Sequence, residues 1–198
     1  MVPPSTTPTR EGYDFTGWYL DQDCTTPLVS GTVVKQSATY YAGWTPKEYT
    51  ITWDTNYTNG SVTTIQQKYD DELNILPDPI RTGYEFGGWY TEPNGGGTRA
   101  EAYGTVKGNE TFYANWVQES IDYTVTIEWD DDSDNDAVRP ASLTVELYAD
   151  GESTGLTAEV TGGNEAESWS HVFEALPVHA DQGNVIVYTL ALVGDTPS

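Results

Sequence analysis

PTREGYDFTGWY, from Pro8 to Tyr19, returns as PIRTGYEFGGWY from Pro79 to Tyr90. Each copy closes on a second aromatic stretch, ATYYAGW at Ala38 to Trp44 and ETFYANW at Glu110 to Trp116. The opening prolines lie 71 residues apart and the closing tryptophans 72, so one residue is inserted within the second copy. A period of this length, anchored by aromatics and glycines, marks tandem domains rather than a solenoid of short turns. In GYDFTGWY, Tyr13, Phe15 and Gly17 alternate with Asp14, Thr16 and Trp18, which predicts a strand with large side chains on both faces. Gly12, Gly17, Gly83 and Gly88 fall where a turn or bulge needs them, and TYYAGW and TFYANW read as closing strands.

Outward from this motif, a stretch from Tyr49 to Asp78 precedes the second copy. YTITW (Tyr49 to Trp53) alternates as a half-buried strand, Asn59-Gly60 supplies a turn, and SVTTIQQKY follows as a second strand. DDELNIL, before Pro77, reads as a short helical turn. Copy one has only seven residues ahead of Pro8, so its front half is missing and it is not expected to close its own core. Trp18, Trp44, Trp89 and Trp116 read first as core packing and second as a glycan-stacking platform, which requires rings on a flat exposed face.

Composition agrees with small β domains. Aromatics make up 13% of 198 residues, with nineteen glycines and eleven prolines for turns. The single cysteine, Cys24, rules out an intrachain disulfide, and in DQDCTTP it has no basic neighbour to activate it, so it reads as an incidental exposed thiol. No apolar run reaches the ~20 residues of a membrane helix, and MVPPSTTP has neither the charged nor the apolar region of a signal peptide. The half repeat at the start favours a piece of a longer secreted chain, with Met1 an artificial beginning, over an intracellular protein.

The P-x-R-x-G-Y-x-F-x-G-W-Y core and the A-x-Y-A-x-W closure resemble the internalin B-repeat, the Listeria–Bacteroides repeat. The resemblance covers residues 8–44 and 46–117. It implies a compact β-grasp-like unit strung in tandem on surface proteins of mostly Gram-positive bacteria, some of them linked to host attachment, with no catalytic residues.

After Gln118 the pattern changes. Alternation in Thr124 to Trp129 and Leu143 to Tyr148 predicts antiparallel strands, Asp150-Gly151 a hairpin turn, and VIVYTLALV (Val185 to Val193) a central strand or a blurred alternation. Pro140 and Pro177 fit loops or strand starts. About five strands of a β-sandwich are visible where roughly seven are usual. WDDDSDNDAVRP (Trp129 to Pro140), SLTVELYADG (Ser142 to Gly151), Leu176-Pro177 and VYTL (Val187 to Leu190) resemble the Cna protein B-type domain of Gram-positive adhesins and pili. That resemblance implies an Ig-like sandwich, which in many members crosslinks itself. A lysine two residues before the Trp attacks an asparagine on the last strand, aided by a buried acid. Here those positions are Ile127 and Leu192, and no lysine occurs from Glu119 to Ser198, so the isopeptide bond cannot form within this domain. Replacing a buried ionic set with apolar residues is often neutral or stabilising, so Ile127 and Leu192 read as facing core residues. The family's last strand normally follows soon after, so the domain is either shortened or stops before it.

Asp130, Asp131, Asp132, Asp134 and Asp136 place five carboxylates within seven residues. Alternate oxygens at Asp130, Asp132, Asp134 and Asp136 suit calcium, but the EF-hand pattern fails at Asn135 and Ala141, which favours a solvated loop. His171 and His179 lack partners at zinc spacing. Net charge is −23, divided as −7 up to Gln118 and −16 from Glu119 on, where Arg139 is the one basic residue. Phosphate would repel such a chain, which excludes ordinary nucleic-acid binding and leaves DNA mimicry against a basic protein as a remote alternative. There is no G-x-S-x-G, no phosphate loop and no H-E-x-x-H, and Ser170-His171 adjacency does not make a triad.

The sequence therefore predicts tandem β-grasp-like repeats followed by a sandwich. Residues 1–45 are a truncated repeat, 46–118 a complete one, and 119–198 a Cna B-type domain. The expected role is a non-catalytic stalk or spacer of a bacterial cell-surface adhesin, without cofactor and monomeric within a longer chain. The rival is an adhesive module that binds a host glycan or matrix protein through exposed aromatics. The short joins, TPKE (Thr45 to Glu48) and VQESID (Val117 to Asp122), favour a semi-rigid rod over loosely tethered beads.

Overall fold

A computed structural model describes residues 6–33, 37–130, 139–163, 168–180 and 183–194. Contacts divide the chain into two compact units, Met1–Pro79 with Phe86–Trp116, and Ile80–Glu85 with Val117–Ser198. The described residues form twelve strands and two 3-10 turns, and no α-helix.

In the first unit, copy one supplies β1 (Tyr13–Tyr19) and β2 (Tyr41–Pro46), an antiparallel pair with Phe15 opposite Trp44 and Gly17 opposite Gly43. A register shift between Phe15 and Gly17 marks the bulge that the second glycine of the motif predicts. Copy two builds a five-stranded mixed sheet. β3 (Glu48–Asp54) and β4 (Val62–Lys68) form an antiparallel hairpin, with Ile51 opposite Ile65. β5 (Tyr84–Glu92), β6 (Gly96–Arg99) and β7 (Glu110–Gln118) complete the order β4-β3-β7-β5-β6. β3 and β7 run parallel, with Trp53 beside Phe112, the central pairing of a β-grasp-like unit. Ile51, Trp53, Leu73, Trp89, Val106 and Phe112 fill its core. The rings of Trp53 and Phe112 stack at 4.7 Å, and Trp89 meets Trp53 edge-on at 5.1 Å.

Residues 71–76 form no helical turn, and Glu72 makes an isolated antiparallel bridge with Thr105. Backbone partners elsewhere take the groups a helix would use: the Asp70 amide donates to Val106, the Val106 amide to Asp71 and the Leu73 amide to Gly104. Among its described residues, copy one contributes none to the buried apolar core. Its strands correspond to β5 and β7, and its aromatic residues Phe15, Trp18 and Trp44 are half-buried.

The second unit places β8 (Ser120–Glu128) against β11 (Ser168–Pro177), and β9 (Leu143–Ala149) between β10 (Glu152–Val160) and β12 (Tyr188–Val193). Both sheets contribute to one core of Val125, Val145, Leu147, Val160, Trp169 and Phe173, which makes this an antiparallel sandwich. Asp150 and Gly151 both take positive φ, 52° and 87°, as a two-residue hairpin turn requires. β12 is an edge strand, not a central one, and it starts only at Tyr188. Val185 and Val187, which made the run look continuous, are exposed, so the alternation is genuine from Tyr188 to Leu190.

Candidate ligand, metal and crosslink sites

The rings come first, since an aromatic platform is what a glycan site needs. None of the seven Trp, fourteen Tyr and four Phe side chains is exposed; all are buried or half-buried. Trp53 and Trp89 are core residues, and Trp116 packs against the same core with its indole N–H donating to the Thr55 carbonyl at 2.8 Å. In copy one, Phe15 takes Trp18 and Trp44 edge-on at 5.6 and 5.5 Å, so these rings cover one another.

At the crosslink positions the two aliphatic residues part company. Ile127 on β8 packs against the sandwich core, but Leu192 on β12 is 54% exposed. The expected facing core pair is therefore not formed. Leu192 keeps the inward parity of Tyr188 and Leu190 and pairs with Val145, yet it lies near the end of an edge strand where the core no longer covers it. Of the acidic loop, Asp130 is exposed, while Asp132, Asp134 and Asp136 lie outside the described residues. Among the described residues, no group of three His, Cys, Asp or Glu side chains is placed to hold a metal ion.

Single titratable groups show their local causes. Asp21 fastens its loop by accepting from the Thr25 amide at 2.9 Å, the Thr25 hydroxyl at 3.0 Å and the Thr26 amide at 2.7 Å. These donors, the Thr25 amide foremost, hold its carboxyl down at about 2. Burial, and then the Glu110 carboxylate it bonds, push the Tyr103 hydroxyl up. Cys24 in the Asp21 loop is half-buried rather than exposed, with φ +53° and its thiol 3.8 Å from the Gln22 carbonyl. His171 meets Phe173 edge-on, and His179 Nδ1 lies 3.7 Å from a Glu119 carboxylate oxygen, so the histidines are far from sharing a site. A cavity of about 390 Å³ in the first unit is lined by Leu73, Ile75 and Ala100 and by the carboxylates of Asp70, Glu72 and Glu101. Lys107 and Arg99 pair with Asp70 and Glu101.

With that geometry in view, the Listeria-Bacteroides repeat domain model matches residues 2–43 and 49–115, more than half of the chain. The chain belongs to the Listeria-Bacteroides repeat family. Its residues 123–193 match the Cna protein B-type domain. Among curated relatives, Internalin H of Listeria monocytogenes is 34% identical over 60% of this chain and 22% of its own length. A collagen adhesin of Staphylococcus aureus is 42% identical over 34% of this chain and 5% of its own length. The chain thus spans about a fifth or less of these relatives. A single B repeat unit of the S. aureus collagen-binding surface protein Cna is similar at 22% identity, covering 79% of this chain and 62% of that one, with a TM-score of 0.35. No helix among the described residues is long and apolar enough to cross a membrane.

Proposed function

We propose that this chain is a non-catalytic stalk or spacer segment of an extracellular bacterial surface adhesin, there to carry an adhesive part rather than to be one. The observation that carries this reading is that no aromatic ring is exposed, all being buried or half-buried, so none offers the flat open face that stacking on a glycan needs. The Listeria-Bacteroides repeats, the Cna B-type match and the similarity to Internalin H and to a collagen adhesin support it.

The test is binding of the chain to a panel of host glycans and matrix proteins, at low and physiological salt, with and without calcium. A blank is expected at physiological salt. Binding that appears only at low salt is charge attraction to a chain of net charge −23. Saturable, salt-resistant binding lost on changing Trp18 or Trp44, which are only half-buried, would replace the spacer with an adhesive module.

A further inference from the structure

Each of two residues, Lys47 and Glu119, is the sole link between the last strand of one module and the first strand of the next, β2 to β3 and β7 to β8. Each makes the same pair of backbone bonds. The Lys47 amide donates to the Gly12 carbonyl at 2.8 Å, and the Lys47 carbonyl accepts from the Tyr69 amide at 2.8 Å. In the second unit the Glu119 amide donates to the Gly83 carbonyl at 2.9 Å, and the Glu119 carbonyl accepts from the Val178 amide at 3.0 Å. Gly12 and Gly83 are the same glycine of the repeated Gly-Tyr turn.

The register is also the same. Lys47 and Tyr69 extend the β3–β4 ladder one step past Glu48 and Lys68. Glu119 and Val178 extend the β8–β11 ladder one step past Ser120 and Pro177. A β-grasp-like repeat and a sandwich, unlike in sequence and topology, thus present the same feature: the open end of their first antiparallel ladder.

The glycine completes the fit. Gly12 and Gly83 are both buried, with φ of +72° and +80°. A Cβ on Gly12 would lie 2.1 Å from the Tyr69 ring, and one on Gly83 would lie 2.6 Å from the His179 Cβ. The turn around each is braced alike, with Arg10 over the Tyr13 ring at 3.8 Å and Arg81 over the Tyr84 ring at 3.5 Å. At the first seat Tyr13 also meets Tyr69 edge-on at 5.6 Å, and Lys107 lies over the Tyr69 ring while pairing with Asp70.

We propose that the Gly-Tyr turn of each repeat, together with the residue after its closing strand, is a general docking seat for the β module that follows. The partner it fits is any β domain whose first strand pairs antiparallel with a strand that ends at the seat, supplies one amide there, and sets a side chain against a bare glycine. This goes beyond the spacer reading, because the seat would hold whether or not the chain binds a ligand.

The test is amide hydrogen exchange on the whole 198-residue chain, with Ile51 and Phe112 amides reporting that the repeat stays folded. Gly12→Ala is expected to speed exchange at the Lys47 and Tyr69 amides at least about tenfold, a loss of one backbone hydrogen bond's worth of protection. Gly31→Ala, also at positive φ but with open space around it, is expected to leave both amides unchanged. Gly12→Ala with Tyr69→Ala is expected to restore part of the protection at Lys47, since the ring that the new methyl strikes is gone while the strain of alanine at φ +72° stays. Gly83→Ala is expected to act the same way on the Glu119 and Val178 amides. Unchanged exchange at either seat would overturn the proposal. So would a double variant no better protected than Gly12→Ala alone, which would assign the effect to turn strain instead of docking.

Discussion

At the residue scale, one motif position has two fates. Trp89 is 2% exposed in the completed core, while its counterpart Trp18 is only half-buried beside Phe15. Truncating a fully packed Trp removes its transfer energy and leaves a cavity, whereas a half-covered ring loses a fraction of the first and little of the second. Trp89→Ala should therefore cost about 3–5 kcal/mol and Trp18→Ala no more than about 2 kcal/mol, read as shifts of the urea midpoint. Asp21 gives a pH prediction of definite sign. Its carboxyl is held at about 2 against an ordinary 3.8, so its hold on the loop is complete above 3.8 and is lost as pH falls through about 2. The Thr25 and Thr26 amide resonances should move together with a midpoint near 2. In Asp21→Asn that step should vanish and both amides should exchange faster. A midpoint at the ordinary value would mean the donors do not hold the charge.

At the element scale, the sequence was most legible where local chemistry and burial pointed the same way. Alternation in YTITW, the Asn59-Gly60 turn and the Asp150-Gly151 turn each became the predicted element, because hairpin partners adjacent in sequence settle them. Asp71–Leu76 was misread because its backbone partners, Gly104 to Val106, lie some thirty residues away and leave no local trace. Leu192 was misread for a related reason: parity along a strand says which way a side chain points, not whether anything covers it. The module joins also shrank, from four and six residues of apparent linker to Lys47 and Glu119 alone, since Thr45-Pro46 and Val117-Gln118 already belong to strands. One element is held by a turn outside it. Asp150 donates its amide to the Val187 carbonyl and accepts the Val187 amide on its carboxylate, both at 2.9 Å, immediately before β12 begins. Asp150→Ala should speed exchange at Val187 about tenfold, while Asp150→Asn, which keeps the acceptor and tolerates positive φ, should stay near the parent. Equal effects of the two would mean the charge matters there, not the bond.

At the scale of the whole molecule, the net charge of −23 acts on folding before it acts on any partner. Compacting a chain with 31 acidic and eight basic residues brings like charges together, and the one basic residue from Glu119 on cannot offset seventeen acidic ones. Salt screens such repulsion over a Debye length of about 10 Å at 0.1 M, so stability should rise with ionic strength. Raising sodium chloride from about 20 to about 300 mM should lift the thermal midpoint by about 3 °C or more. Calcium chloride separates this general effect from a bound ion. At matched ionic strength a screened chain gains no more from calcium than from sodium. A specific site would add stabilisation that grows with the logarithm of calcium concentration once the site fills. The matched-salt curves should superimpose, because the run from Asp130 departs from the EF-hand pattern at Asn135 and Ala141. A calcium-dependent rise in midpoint that is lost when Asp130, Asp132, Asp134 and Asp136 are changed to Asn would make the acidic run a calcium site.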